Sequence, residues 1–96
     1  MLSPELLSPN TTCKQGDHVS VLGEVTRPGS FPCAPGMRLT DAIIAAGGLT
    51  VLAWRNDTRL QRGKAMYRVP LQNILDGTTP DPVLAADDYI LVPDRT

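Results

Sequence analysis

The stretch from Gly23 to Gly48, GEVTRPGSFPCAPGMRLTDAIIAAGG, constrains this chain more than any other. An extended run arrives at Gly23-Glu24-Val25, and a tight turn is predicted at Arg27-Pro28-Gly29. Pro28 presets its backbone angle there and Gly29 tolerates the turn conformation. A second extended run follows through Phe31 to Ala34. An amphipathic helix is then predicted over Thr40 to Ala46. Leu39, Ala42, Ile43 and Ala46 fall at i, i+3, i+4 and i+7, which makes one apolar stripe. Thr40 is read as its N-cap, Asp41 suits the positive end of the helix dipole, and the paired Gly47-Gly48 stop the helix.

The rest of the chain supplies a sheet for that helix. Val19, Val21, Gly23 and Val25 alternate with His18, Ser20, Leu22 and Glu24, the period of a strand with one buried face. Gly23 has no side chain to pack, so a close backbone approach is expected there. Residues 49–54 have no clean period and read as a loop. Thr58–Gln61 and Ala65–Val69 read as strands of a hairpin turning at Arg62-Gly63-Lys64. Leu71, Ile74 and Leu75 form one helical turn that Gly77 ends. Pro80 and Pro82 keep residues 78–83 irregular, and Tyr89–Val92 closes the chain as a strand stopped by Pro93. The order is β-β-α-β-β-(short α)-β. It predicts an α+β, β-grasp fold (a ubiquitin-like roll), with a mixed sheet and one main helix packed on one face. Val21, Val25, Leu39, Ile43, Ile90 and Val92 are the expected core. Residues 1–16 read as a flexible leader or linker and residues 17–96 as the domain.

Composition limits the function. The formal charge is −1, so no general attraction to nucleic acid or to an anionic membrane is expected, nor direct membrane contact by this domain. No apolar run approaches the ~20 residues that span a bilayer, and Met1-Leu2-Ser3-Pro4 lacks the charged and apolar regions of a signal peptide. Cys13 and Cys33 have no metal-ligand spacing and His18 is the lone histidine, so no metal and no cofactor is expected. A Cys13–Cys33 bridge is one reading of the pair. The favoured reading leaves Cys33 a small half-buried strand residue and Cys13 in a loose leader. Catalysis is not expected either. Asp87-Asp88 sits at a strand entrance where acidic turn residues are common, and no nucleophile has a credible base. Gly47-Gly48 follows a helix, whereas phosphate cradles precede one.

Two surface features remain. Arg55, Arg59, Arg62, Lys64 and Arg68 cluster with Asp57 as the only interspersed acid. One reading is a patch for an anionic sugar polymer or an acidic neighbour. The favoured one is a solvated hairpin whose charges discourage edge-to-edge pairing, balanced by the acids Asp76, Asp81, Asp87, Asp88 and Asp94. Trp54, beside Arg55, is read first as core packing, then as a subunit contact, then as a sugar platform.

Taken together, Gly23-Glu24-Val25, Pro28-Gly29, Leu39-x-Asp41-Ala42-Ile43 and Ala46-Gly47-Gly48-Leu49 resemble the signature of the soluble-ligand-binding β-grasp (SLBB) domain. Ala53-Trp54-Arg55-Asn56, the Arg62-Gly63 turn, Val69-x-Leu71 and Leu84-x-x-x-Asp88-x-Ile90-x-Val92-Pro93 resemble the outer-membrane polysaccharide export proteins. In that family a Gly usually precedes the final-strand Asp; here Asp87 occupies the position, and Asp tolerates the left-handed conformation. The resemblance implies a periplasmic module of an outer-membrane-associated protein and ring assembly of a conduit for capsule or exopolysaccharide. It further implies homo-oligomers in the full-length context, with polysaccharide and an inner-membrane export partner in contact. Trp54, Arg55, Arg59, Asp87 and Asp88 are the candidate subunit or saccharide contacts; Gly23, Pro28, Gly29, Gly47 and Gly48 are the structural motif. The export domain and membrane helix of that family lie outside this sequence, so this domain alone is not expected to be the pore.

Overall fold

The computed structural model describes residues 12–95. Five strands form one mixed sheet: β1 (His18–Gly23), β2 (Gly29–Pro32), β3 (Thr58–Arg62), β4 (Ala65–Val69) and β5 (Tyr89–Val92), in the order β2-β1-β5-β3-β4. The first and last strands run parallel at the centre, and each carries an antiparallel neighbour outward. Helix α1 (Leu39–Ala45) lies between β2 and β3 in the chain, and a short helix α2 (Leu71–Asp76) follows β4. This is the expected β-grasp arrangement, with the element order read from the sequence.

Register explains the core. Ile90 pairs with Val21 on one side and Leu60 on the other, and Leu60 pairs with Tyr67. These paired positions form a row across four strands on one face. The apolar stripe of α1 joins that face: Leu39, Ala42, Ile43 and Ala46 are all buried in the same cluster as Val19, Val21, Ile90 and Val92. All six residues expected in the core are buried. Gly23 has the close approach its lack of a side chain implied, because a β-carbon there would overlap the Val92 carbonyl. Gly77 ends α2 as expected.

Three local expectations are corrected. The connection from β1 to β2 is a broad bend rather than a tight turn at Arg27-Pro28-Gly29. Val25 bridges to Leu49 within it, and Gly29 already belongs to β2. Thr40 is not the N-cap of α1; Arg38 is. The Arg38 amide donates to the Asp41 carboxylate at 3.0 Å, and the hydroxyl of Thr40 is taken by Asp81, whose other oxygen receives the Thr40 amide at 3.2 Å. The distant Asp81 satisfies a free amide at this helix start.

The third correction concerns the cysteines. Cys13 and Cys33 are joined in a disulfide, with Cα atoms 5.9 Å apart, and both are buried. The unbridged reading fails because the chain before β1 folds back on β2. The Lys14 amide donates to Asp17 at 2.6 Å, and the Cys33 amide donates to the Asp17 carbonyl at 2.8 Å. Residues 13–16, read as the end of a leader, are therefore tied into the domain. The start of that leader lies outside the described residues.

Candidate functional site

The motif glycines turn out to hold the scaffold. Gly47 lies against the bend after β1, where an added β-carbon would come within 2.9 Å of Thr26. That proximity lets the bend satisfy the end of α1. Arg27 donates its amide to Ala46 at 2.7 Å, and Thr26 donates its amide to Gly48 and its hydroxyl to Gly47, each at 3.0 Å. Free carbonyls at a helix end need such partners. Pro28 is exposed and Gly29 opens β2 opposite Val21. The motif fixes where the loop after α1 begins.

That loop, residues 49–54, is stitched down on both sides. Leu49 bridges to Val25 and Ala53 to Asp94. The Thr50 hydroxyl donates to Glu24 at 2.8 Å, the Trp54 amide to Pro93 at 2.8 Å, and the Arg95 amide to Leu52 at 3.0 Å. On this fixed backbone Trp54 is 44% exposed. The core-packing reading of Trp54 is thus overturned: its backbone is anchored at the end of the sheet, and its indole stays outside the core. Trp54 and Arg55 border an open cleft of about 420 Å³, with Arg95 and Gln72 also on its wall.

The four arginines of the basic cluster divide into three fates. Arg59 and Arg68 sit opposite each other on β3 and β4 and share Asp57, at 3.1 and 3.4 Å. Arg62, at the end of β3, turns inward and holds Asp88 through two nitrogens, at 3.0 and 2.7 Å. It also donates to the Val83 carbonyl at 3.1 Å. Arg55 instead donates to a neutral amide, the Gln72 side chain, at 2.8 Å. Gln72 is oriented in turn by donating to Asp76 at 2.9 Å.

The acidic candidates divide as sharply. Asp88 is 1% exposed and also accepts the Ala85 amide at 2.8 Å. It closes the turn into β5 and does not face outward, which withdraws it from the surface contacts. Asp87 stays exposed and takes φ 64°, the sole positive φ outside glycine among the described residues, as its place in a glycine position led one to expect. The structure brings Trp54 and Arg55 together, sets Arg59 apart on β3 with Asp57, and leaves Asp87 at the turn before β5.

Sequence reasoning missed Gln72, Arg95 and Asp81. Gln72 looked like any polar position on a short helix, and Arg95 came after the last recognised element. Asp81, flanked by two prolines, gave no local sign of a cap for a helix far upstream.

The comparison with known families adds one finding. The SLBB domain model matches residues 18–70, more than half of the chain. The chain belongs to the SLBB domain family. No curated protein matches it. SLBB domains are binding domains and occur in polysaccharide export proteins. Among the described residues, this SLBB domain has no helix long and apolar enough to cross a membrane.

Proposed function

We propose that this SLBB domain is a non-catalytic module of a polysaccharide export protein, acting in the periplasm and contributing to ring assembly of the export conduit. The observation that carries the reading is the buried Cys13–Cys33 disulfide in a member of this family. Disulfides persist in oxidising compartments, the bacterial periplasm among them. The ordered set from Ala53-Trp54 to Val92-Pro93 supports the export context within the family. In this reading the full-length protein is a homo-oligomer associated with the outer membrane, handing polymer on from an inner-membrane partner. A single domain interface of that kind is small, and stability of the ring comes from several contacts acting together.

A second reading, a small soluble-ligand or sugar-binding β-grasp module of another envelope system, is favoured by the open cleft at Trp54. The discriminating experiment removes residues 17–96 from the chromosomal copy of the gene. The expected result is loss of assembled rings by electron microscopy of the purified protein, together with loss of surface polysaccharide. Normal rings and normal polymer would overturn the export reading. Thiol alkylation of the native protein before and after reduction gives a second test, since alkylation without reductant would remove the periplasmic assignment.

A further inference from the structure

The strongest unassigned feature is the cleft beside Trp54. Its wall carries two guanidinium-bearing residues, Arg55 and Arg95, and an exposed indole. Of the nearby carboxylates, Asp57 is paired with Arg59 and Arg68, while Asp76 and Glu24 are bonded to neutral groups, the Gln72 amide and the Thr50 hydroxyl. Arg55 is held by an amide that fixes its position without neutralising its charge. We infer that this cleft binds an acidic sugar ring, a pyranose bearing a carboxylate, as one unit of an anionic glycan.

Each part of the cleft matches one part of that ligand. The indole face is flat and apolar, as is the C–H face of a pyranose, and Trp54 keeps indole surface outside the core on which such a ring can stack. The planar fork of a guanidinium pairs with a carboxylate through two parallel hydrogen bonds, a geometry an ammonium does not provide. Asn56 lines the same wall, and an amide side chain carries both donors and an acceptor for ring hydroxyls. The Thr50 hydroxyl and the Gln72 amide are engaged with Glu24 and with Arg55 and Asp76, so they shape the wall rather than bind. The side chain of Arg55 is held through Gln72 before a ligand arrives, and the backbone that carries the indole is anchored through Pro93. The cleft is open, which suits an internal unit of a chain rather than an enclosed small molecule.

The choice of a sugar over other carboxylates rests on the export reading, so the test separates the two. Trp54 is the chain's sole tryptophan, and its fluorescence reports on this cleft alone. The 96-residue chain is titrated with trigalacturonate, with its methyl ester, and with acetate at matched ionic strength. The expected result is a saturable change with trigalacturonate and binding at least tenfold weaker for the ester and for acetate. Arg55→Gln combined with Arg95→Gln is expected to weaken trigalacturonate at least tenfold with an unchanged circular dichroism spectrum. Trp54→Ala, followed by calorimetry, is expected to bind at least tenfold more weakly. Equal affinity for the acid and its ester, no response to either, or unchanged affinity in the arginine variant overturns the inference. So does a fluorescence change that follows protein concentration instead of sugar, because a second copy then covers the indole. Any of those outcomes leaves the export reading standing. Intact rings and polymer after removal of residues 17–96 would end the export reading and leave the measured sugar selectivity in place.

Discussion

Arg55 and Arg62 belong to the same basic run, and the fold treats them oppositely. Arg62 enters the protein at the end of β3, pairs through two nitrogens with a fully buried carboxylate, and ties β3 to the turn before β5. Arg55 stays on the surface, held by an amide beside a cleft. Composition alone assigns both to one charged patch. The difference teaches that an arginine's role follows from its partner and its burial: a desolvated charge must be paired, whereas a solvated one remains available to a ligand.

The largest expected effect tests the buried side of this comparison. Asp88→Ala leaves Arg62 without its carboxylate and is expected to lower stability by about 3–5 kcal/mol, read from urea unfolding. A loss below about 1 kcal/mol would mean that the pair behaves like an exposed one, and the contrast with Arg55 would disappear.

A covalent tie should rank next. Reduction of Cys13–Cys33, which spans a separation of 20 residues, is expected to cost about 3 kcal/mol by the loop-entropy estimate. Unfolding curves with and without reductant provide the measurement. An unchanged midpoint would show that residues 13–16 are held by their packing and not by the cross-link.

Asp81 sits between the two extremes, as a half-buried carboxylate that serves the start of α1. Asp81→Ala is expected to cost about 1 kcal/mol, the usual loss for a helix cap. A much larger loss would place Asp81 with Asp88 as a structural charge. The smallest effect belongs to Arg55. Arg55→Gln is expected to change stability by less than about 0.5 kcal/mol while weakening acidic sugar in the titration. A destabilisation near that of Asp88→Ala would erase the distinction between the two arginines.

The elements themselves were legible because their causes are local. Alternation at Val19 and Val21, the Gly63-Lys64 turn and the stripe from Leu39 to Ala46 each lie within one element, and each element formed where its pattern stood. Even the left-handed backbone of Asp87 followed from the residue that usually stands in its place. Apart from the tight turn expected at Arg27-Pro28-Gly29, which is a broad bend, what failed were statements about partners. The start of α1 depends on Asp81, separated from Thr40 by 41 positions, and the fate of Arg62 on Asp88, separated by 26.

The candidate site shows the same division. Sequence brought Trp54 and Arg55 forward as neighbours, but not whether the indole was inside or outside, nor that Arg95 would reach the same cleft. By itself the sequence determined the order of elements, the core face and the family, because hydrophobic period and turn chemistry act over a few residues. Only the tertiary structure decided which charges are paired, which cysteines are joined and which aromatic is exposed. Those outcomes depend on segments that meet only after the sheet has brought the chain's ends together.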